Sequence, residues 1–213
     1  MIGSCSPARL LSKTALLLLP LLVLGPTASC GQDDTEALLD AMAIQEGDWA
    51  ADVGSGDGDY TLPMAERVGP SGRVFAVDIN ARVLGALNER LTDNKIEHVT
   101  TVYSVEANPM LPANALDAVL VRNAYHHFTA HASMLRHIKA ALKPDGRLVI
   151  EESIDRDLIG ASRQKQVDNH DLGIEYVREE LRAAGFTIQE EVNPLMETGW
   201  GVYWMIVATR PGA

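Results

Sequence analysis

The sequence predicts an α/β protein, a doubly wound and mostly parallel β-sheet with helices on both faces. Three observations carry this prediction. Short apolar runs alternate with segments of helical periodicity along residues 35–208, a pattern typical of parallel β-α-β units. A glycine-rich stretch separates the first predicted strand from the next helix. The last two predicted strands have no helix between them, which predicts an antiparallel hairpin at one sheet edge.

The predicted elements follow in a regular order. Helices have apolar residues at three- and four-residue spacing, and are predicted at residues 35–44, 60–68, 81–91, 132–142 and 174–184. Strands are short and apolar, and are predicted at residues 49–51, 74–78, 99–103, 116–121, 147–150, 186–192 and 202–208. Asp34 or Thr35 is expected to cap the first helix, and Gly185 to end the last. Residues 153–172 are polar and predicted to be irregular.

The glycine-rich stretch, residues 52–59, reads DVGSGDGD and has glycine at every second position. Glycine lets a ligand approach the backbone, and the N–H groups that open the following helix then face a polar or anionic ligand. The dinucleotide fingerprint G-x-G-x-x-G is not met, because position 59 is Asp. A calcium loop is also disfavoured, because its required glycine would fall at Leu62.

An acid after the second predicted strand supports a nucleotide site. Asp78 ends the apolar run 74–78, at about the distance of 20 residues where a carboxylate binds a ribose diol. The alternative interpretation is that the glycines only form a tight turn and that Asp78 caps the next helix.

These motifs resemble those of class I S-adenosylmethionine-dependent methyltransferases over residues 37–209. Residues 52–58 resemble the first motif of that family, residues 69–79 its second strand with the ribose acid, and residues 142–150 its turn into the fifth strand. The resemblance implies the strand order 3-2-1-4-5-7-6, with the last strand antiparallel, and S-adenosylmethionine as the cofactor. It implies cofactor contacts at Asp52, Gly54, Gly56, Gly58, Asp78, Glu106 and Asn123.

Residues 105–128 resemble a narrower bacterial subgroup of predicted, often exported methyltransferases. This resemblance implies that Glu106 lies near the adenine and that the backbone of Asn123 faces the methionine amino group.

Three side chains are candidates for the acceptor side of the pocket, Tyr125, His126 and His170, because they follow the fourth and fifth strands. An imidazole titrates near neutrality and can take a proton from a hydroxyl, thiol or amine. The alternatives are a histidine that caps or packs, which is favoured for His127, and a solvated loop at His170. Methyl transfer by positioning alone also stays open, because the donated methyl group is already activated.

No metal site is expected. Glu151, Glu152 and Asp168 could hold a cation together with Asn123, but their spacing gives no tight cluster. The two cysteines of the chain indicate neither a zinc site nor a disulfide framework.

The net charge argues against nucleic acid as a partner. The chain has a formal net charge of −11, and such a surface repels a phosphate backbone. The expected partner is therefore a small-molecule acceptor.

Residues 1–29 have the pattern of a lipoprotein-type signal peptide. Arg9 and Lys13 precede an apolar run at residues 15–24 that is too short to span a bilayer comfortably. Residues 27–30 resemble a lipobox, which would make Cys30 the lipidated first mature residue. Plain signal cleavage and a buried N-terminal helix are the alternatives.

The predicted organisation is a signal peptide at residues 1–29, a tether at residues 30–34 and a methyltransferase domain at residues 35–213. The domain is expected in a bacterial cell envelope, on the periplasmic side of the outer membrane, with membrane contact only through its lipid anchor.

The predicted function is S-adenosylmethionine-dependent methyl transfer to a small molecule. Export would separate the domain from its cytosolic cofactor, so two other classes stay open. One is a non-catalytic, nucleoside-binding module of the envelope. The other is an NAD-linked oxidoreductase, which the glycine spacing disfavours. Fold alone does not decide among them.

Overall fold

The computed structural model describes residues 33–212, which form a seven-stranded sheet flanked by helices. The strands are β1 Trp49–Val53, β2 Arg73–Asp78, β3 Val99–Tyr103, β4 Leu116–Arg122, β5 Leu142–Asp155, β6 Thr187–Glu197 and β7 Gly201–Thr209. The helices are α1 Asp33–Met42, α2 Thr61–Val68, α3 Ala81–Asp93, α4 His131–Ala141, α5 Arg163–Val167 and α6 Ile174–Ala183. The strand order is β3-β2-β1-β4-β5-β7-β6.

Strands β1 to β5 pair in parallel, and β7 runs antiparallel to both β5 and β6. The predicted fold class and strand order are therefore confirmed. The central strand β1 pairs with β2 on one side and with β4 on the other, with Asp52 opposite Ala76 and Leu120. The strand order reverses at β1, because the chain first adds β2 and β3 on one side of it and then β4 and β5 on the other. Ligands of such sheets bind in the crevice beyond the carboxyl ends of the strands at this point.

Alternation along the strands distributes the core between two layers. In β2, Val74 packs with α1 and α2, whereas Phe75 and Val77 face the layer of α4 and α6. Ala76, on the same face as Val74, packs against Leu87 of α3. Because successive strand residues point to opposite faces, one apolar strand supplies both layers and is covered on both sides.

Strand β5 is much longer than predicted and extends to Asp155. Its carboxyl end contains Glu151, Glu152 and Ser153, which are polar yet buried. Partners from other parts of the fold interact with these polar groups, which allows them to be buried. Because polar residues are atypical of a buried strand, the sequence pattern does not predict this part of β5. The rest of the segment predicted to be irregular includes the short helix α5.

The predicted cap of α1 is wrong, because both Asp34 and Thr35 lie inside the helix. Gly185 follows α6 with φ +76°, the left-handed conformation in which glycine commonly follows the end of a helix.

Among the residues that the structure describes, none of the helices has the length and apolar character needed to cross a bilayer. The predicted signal peptide, the lipidated Cys30 and residues 31–32 of the predicted tether lie outside the described residues.

Candidate functional site

A cavity of about 300 Å³ opens at the carboxyl ends of the central strands. Its volume is within the range of small-ligand sites, roughly 300–1,000 Å³. The cavity is lined by the residues that follow β1 to β4, together with Met134 of α4. Because β2 and β3 lie on one side of β1 and β4 on the other, Asp78 and residues 104–106 belong to one end of the lining, and residues 127–129 to the other, with Met134 of α4.

The glycine stretch packs closely against the segment after β4. Gly54 lines the cavity with φ +88°, and a Cβ at this position would lie 2.4 Å from the Cβ of Ala124. The amides of Gly54 and Ser55 both donate to the carbonyl oxygen of Val77, at 2.8 and 3.0 Å. Only glycine fits this close approach in the left-handed conformation.

Asp78 lies at the rim of the cavity and is held by two backbone amides. Its Oδ2 accepts a hydrogen bond from the Gly56 amide at 3.0 Å, and its Oδ1 accepts one from the Asn80 amide at 2.7 Å. Each carboxylate oxygen has a further lone pair. The carboxylate can therefore accept hydrogen bonds from a ligand and keep those from the two backbone amides.

Asp52 does not line the cavity. Its buried carboxylate accepts a hydrogen bond from the Thr61 hydroxyl at 2.6 Å, which connects β1 to the first residue of α2. Burial raises the pKa of Asp52 to about 6, although the hydrogen bond from Thr61 lowers it. Gly56 and Gly58 are also not lining residues, and a Cβ at Gly58 would meet the Leu87 side chain of α3 at 2.5 Å. These three predicted cofactor contacts shape the loop.

Glu106 and Asn123 line the cavity, as the resemblance implied for a cofactor site. Asn123 follows β4 with φ +46°, a conformation that Asn tolerates better than most residues. Its amide donates to the carbonyl oxygen of Glu151 at 2.9 Å. In the glycine stretch, the buried hydroxyl of Ser55 has no hydrogen-bond partner among the described residues.

The structure corrects the position predicted for Tyr125. Its side chain is fully buried beneath the cavity, and its hydroxyl donates to Oε2 of Glu180 in α6 at 2.8 Å. Burial and the neighbouring Glu180 raise the pKa of Tyr125 far above its ordinary value. Tyr125 therefore lies in the core and is not one of the residues that line the cavity.

His126 is also buried, with 3% of its surface exposed. Its Nδ1 lies 2.9 Å from Oε2 of Glu152, and its backbone amide donates to Oε1 of the same carboxylate at 3.1 Å. Glu152 is completely buried at the end of β5. It therefore orients the imidazole, a role that its position in the sequence does not indicate.

His127 is the histidine that reaches the cavity lining. Burial, followed by the proximity of His126 and His170, lowers the pKa of His127. Its position at the lining differs from the packing role that the sequence pattern favours. The short 3₁₀ turn Tyr125–His127 turns Tyr125 inward and leaves His127 exposed at the cavity.

His170 reaches the same place from the loop after α5. Its ring centroid lies 5.5 Å from that of His127 and 5.8 Å from that of His126. The sequence predicts His126 and His170 on the acceptor side, but the meeting of three imidazoles is visible only in the structure.

The carboxylates once considered as a cation site are not brought together. Oε2 of Glu151 lies 2.8 Å from Nε of Arg122, whose guanidinium stacks 4.8 Å from the ring centre of Tyr60. Asp168 accepts a hydrogen bond from the Gln164 side chain at 2.7 Å. Glu152 is bound to His126, so each acid has a different partner.

Fold and cavity together define a doubly wound α/β domain with a nucleoside-type site at its topological switch. Comparison with known families makes this more specific. The sequence model of a family described as "Methyltransferase domain" matches residues 44–199. The chain therefore belongs to this methyltransferase family, which confirms the predicted resemblance to class I S-adenosylmethionine-dependent methyltransferases.

Curated relatives match a little more than half of the chain. A protein of Anoxybacillus flavithermus named demethylmenaquinone methyltransferase is 31% identical over 119 residues, which are 56% of this chain and 50% of the relative. A protein of Pseudomonas paraeruginosa named ubiquinone/menaquinone biosynthesis C-methyltransferase UbiE is 33% identical over 119 residues, covering 54% of this chain and 45% of the relative. The chain thus spans about half the length of these relatives.

Solved structures share the fold. A crystal structure of an S-adenosylmethionine-dependent methyltransferase from Aquifex aeolicus aligns with a TM-score of 0.69 and 24% identity, over 83% of this chain and 89% of that one.

Proposed function

We propose that this domain transfers a methyl group from S-adenosylmethionine to a small, largely apolar acceptor of the quinone type. The observation that carries the proposal is one cavity with two different ends. Asp78 and Glu106 offer carboxylates at the first end, whereas Phe128 and Met134 offer apolar side chains at the second. Membership of a methyltransferase family and relatives named for menaquinone and ubiquinone biosynthesis support this assignment.

The residues present fit the cofactor. Asp78 would hold the ribose diol, since its carboxylate is fixed at the rim and each of its oxygens can accept another hydrogen bond. Glu106 would lie beside the adenine and the backbone of Asn123 would face the methionine amino group. Gly54 leaves room for the ligand to approach the backbone, and the loop amides and the start of α2 favour a polar group. When bound, the cofactor supplies an electrophilic methyl group.

The second end of the cavity would position the acceptor. Its apolar side chains exclude water and orient an aromatic ring, which is the main contribution a protein makes when the methyl group is already activated. His127 is the ionisable side chain at this end. Burial and the neighbouring His126 and His170 lower its pKa, which favours the neutral imidazole.

The experiment is an assay of the purified chain with isotopically labelled S-adenosylmethionine. Demethylmenaquinol analogues are compared with catechols and primary amines, and mass spectrometry distinguishes C-methyl from O-methyl products. C-methylated quinol is the expected product. Transfer only to catechols or amines would contradict the acceptor class. Tight cofactor binding without transfer to any acceptor would instead favour the non-catalytic nucleoside-binding module.

The proposal includes a location. We infer from residues 1–30 that the domain is exported and lipid-anchored at Cys30 on the outer membrane of a bacterial envelope. A lipid surface is where an apolar quinone would be found, so the anchor and the acceptor class are consistent with each other.

A further inference from the structure

Three imidazoles that are distant in sequence meet at the edge of the cavity. One ring nitrogen from each of His126, His127 and His170 lies within 4.8 Å of the other two. The rings of His126 and His127 are 4.0 Å apart between centroids. Only His126 is buried.

Glu152 fixes which nitrogen of His126 is free. The Glu152 carboxylate accepts from the backbone amide of His126 and lies 2.9 Å from Nδ1, so Nδ1 carries the proton. The lone pair of His126 is therefore on Nε2. A carboxylate that holds a histidine in this way is the usual support of a metal-binding imidazole. Its negative charge also favours a cation nearby.

We propose that His126, His127 and His170 bind one divalent cation of the zinc class at the edge of the cavity. Imidazole nitrogen is a preferred ligand of Zn²⁺ and of neighbouring transition metals, and is poorly suited to Mg²⁺ or Ca²⁺. Three protein ligands leave the fourth tetrahedral position open, which is the arrangement of a reactive metal site.

The geometry requires a modest contraction. Tetrahedral Zn²⁺ with Zn–N distances of about 2.0–2.1 Å places ligand nitrogens about 3.3 Å apart, compared with the 4.8 Å limit here. His127 and His170 are exposed and outside the long helices. Their rings can therefore turn toward the fixed Nε2 of His126 without disturbing the core.

A cation here would face the acceptor, because His127 lines the cavity. If the proposed function holds, the open position would bind a hydroxyl oxygen of the acceptor and lower its pKa, with the proton released to water. This role rests on the proposed function, whereas the metal site does not.

The test measures metal binding without any methyl donor. The whole chain carries Cys5→Ser and Cys30→Ser, which remove both of its thiols, and is freed of metal with EDTA. It is titrated with Zn²⁺ by calorimetry and with Co²⁺ by visible absorption, which reports four-coordination. His127→Ala and His170→Ala change exposed residues, so the fold is retained. His137→Ala, on α4 and outside the cluster, is the matched control.

We expect one Zn²⁺ per chain and a four-coordinate Co²⁺ spectrum. His127→Ala and His170→Ala should each lower the affinity for Zn²⁺ by at least roughly 10–100-fold, which is the effect of losing a group that only supports a metal ligand. Glu152→Gln should weaken it by about tenfold and keep the spectrum. His137→Ala should change nothing. Absence of a bound metal, affinity unchanged in both exposed-histidine variants, or an equal loss in His137→Ala would overturn the site. None of these results bears on methyl transfer itself.

Discussion

The Oδ2 atom of Asp78 accepts a hydrogen bond from the backbone amide of Gly56 at 3.0 Å. The carboxylate expected to hold the ribose therefore also holds the glycine loop against β2. Ligand contact and loop position depend on the same side chain.

Asp78→Ala should weaken binding of S-adenosylhomocysteine by about 1.5–3 kcal/mol, because hydrogen bonds to a charged group are lost. Asp78→Asn, which keeps one acceptor oxygen, should lose less. Calorimetry on both variants measures the difference. Unchanged affinity in Asp78→Ala would remove Asp78 from the cofactor site.

Gly54 and Gly56 should respond differently to alanine. At Gly54 the new Cβ would lie 2.4 Å from Ala124, whereas at Gly56 it meets nothing within 4 Å. We expect Gly54→Ala to cost about 2–4 kcal/mol of unfolding free energy and to impair cofactor binding, because overpacking adds to backbone strain. Gly56→Ala should cost only about 1–2 kcal/mol, from its positive φ. Urea denaturation of the two variants gives both values, and equal losses would contradict the close packing at Gly54.

Tyr125→Phe should act on stability alone. Removing the hydroxyl that donates to Glu180 should cost about 1–3 kcal/mol, while turnover stays within about twofold. Tyr176→Phe, which removes a hydroxyl hydrogen bond to the carbonyl oxygen of Ala161, is the matched control. A tenfold loss of turnover in Tyr125→Phe, without an equivalent loss in the control, would restore a catalytic role.

Asp52 should make stability depend on pH. Its pKa rises from 3.8 to about 6 on burial, so the folded state binds the extra proton between these values. The stability due to protonated Asp52 is complete below pH 4 and is lost as pH rises through 6. Asp52→Asn, which keeps an acceptor for Thr61, should be more stable than the native chain above pH 6, by about 2–3 kcal/mol. Below pH 4 the variant and the native chain should be equally stable. Denaturation at several pH values tests this, and parallel curves for both proteins would refute it.

Cys30→Ser should release the domain from the membrane fraction. The measurement is fractionation with mass spectrometry of the N-terminal peptide, and Cys5→Ser is the control that should stay membrane-bound. An uncleaved, unmodified N-terminus in the soluble cytoplasmic fraction would overturn export and lipidation together.

Sequence patterns were sufficient for the parts of the site that are local. Gly54 and Asp78 were predicted because a strand, a turn and a helix follow one another in the chain, and each position is fixed by its neighbours. The strand order followed from the resemblance, and the structure has it.

The acceptor end could not be predicted in the same way. Which of Tyr125, His126 and His127 points inward depends on the 3₁₀ turn and on two acids from other elements, the buried Glu152 and the partly buried Glu180. The approach of His170 depends on the path of the chain after β5. No local pattern records these long-range contacts, so the meeting of three imidazoles became visible only in the structure.

Strand β7 is the last strand in the described chain, yet it occupies an interior position between β5 and β6. Until residues 201–209 are in place, β5 and β6 therefore lack the neighbour that lies between them. Insertion of β7 completes the sheet, so a chain that lacks residues 201–209 exposes two unpaired strand edges. An open strand edge is a template for pairing with another chain, so a chain truncated before residue 201 is expected to aggregate.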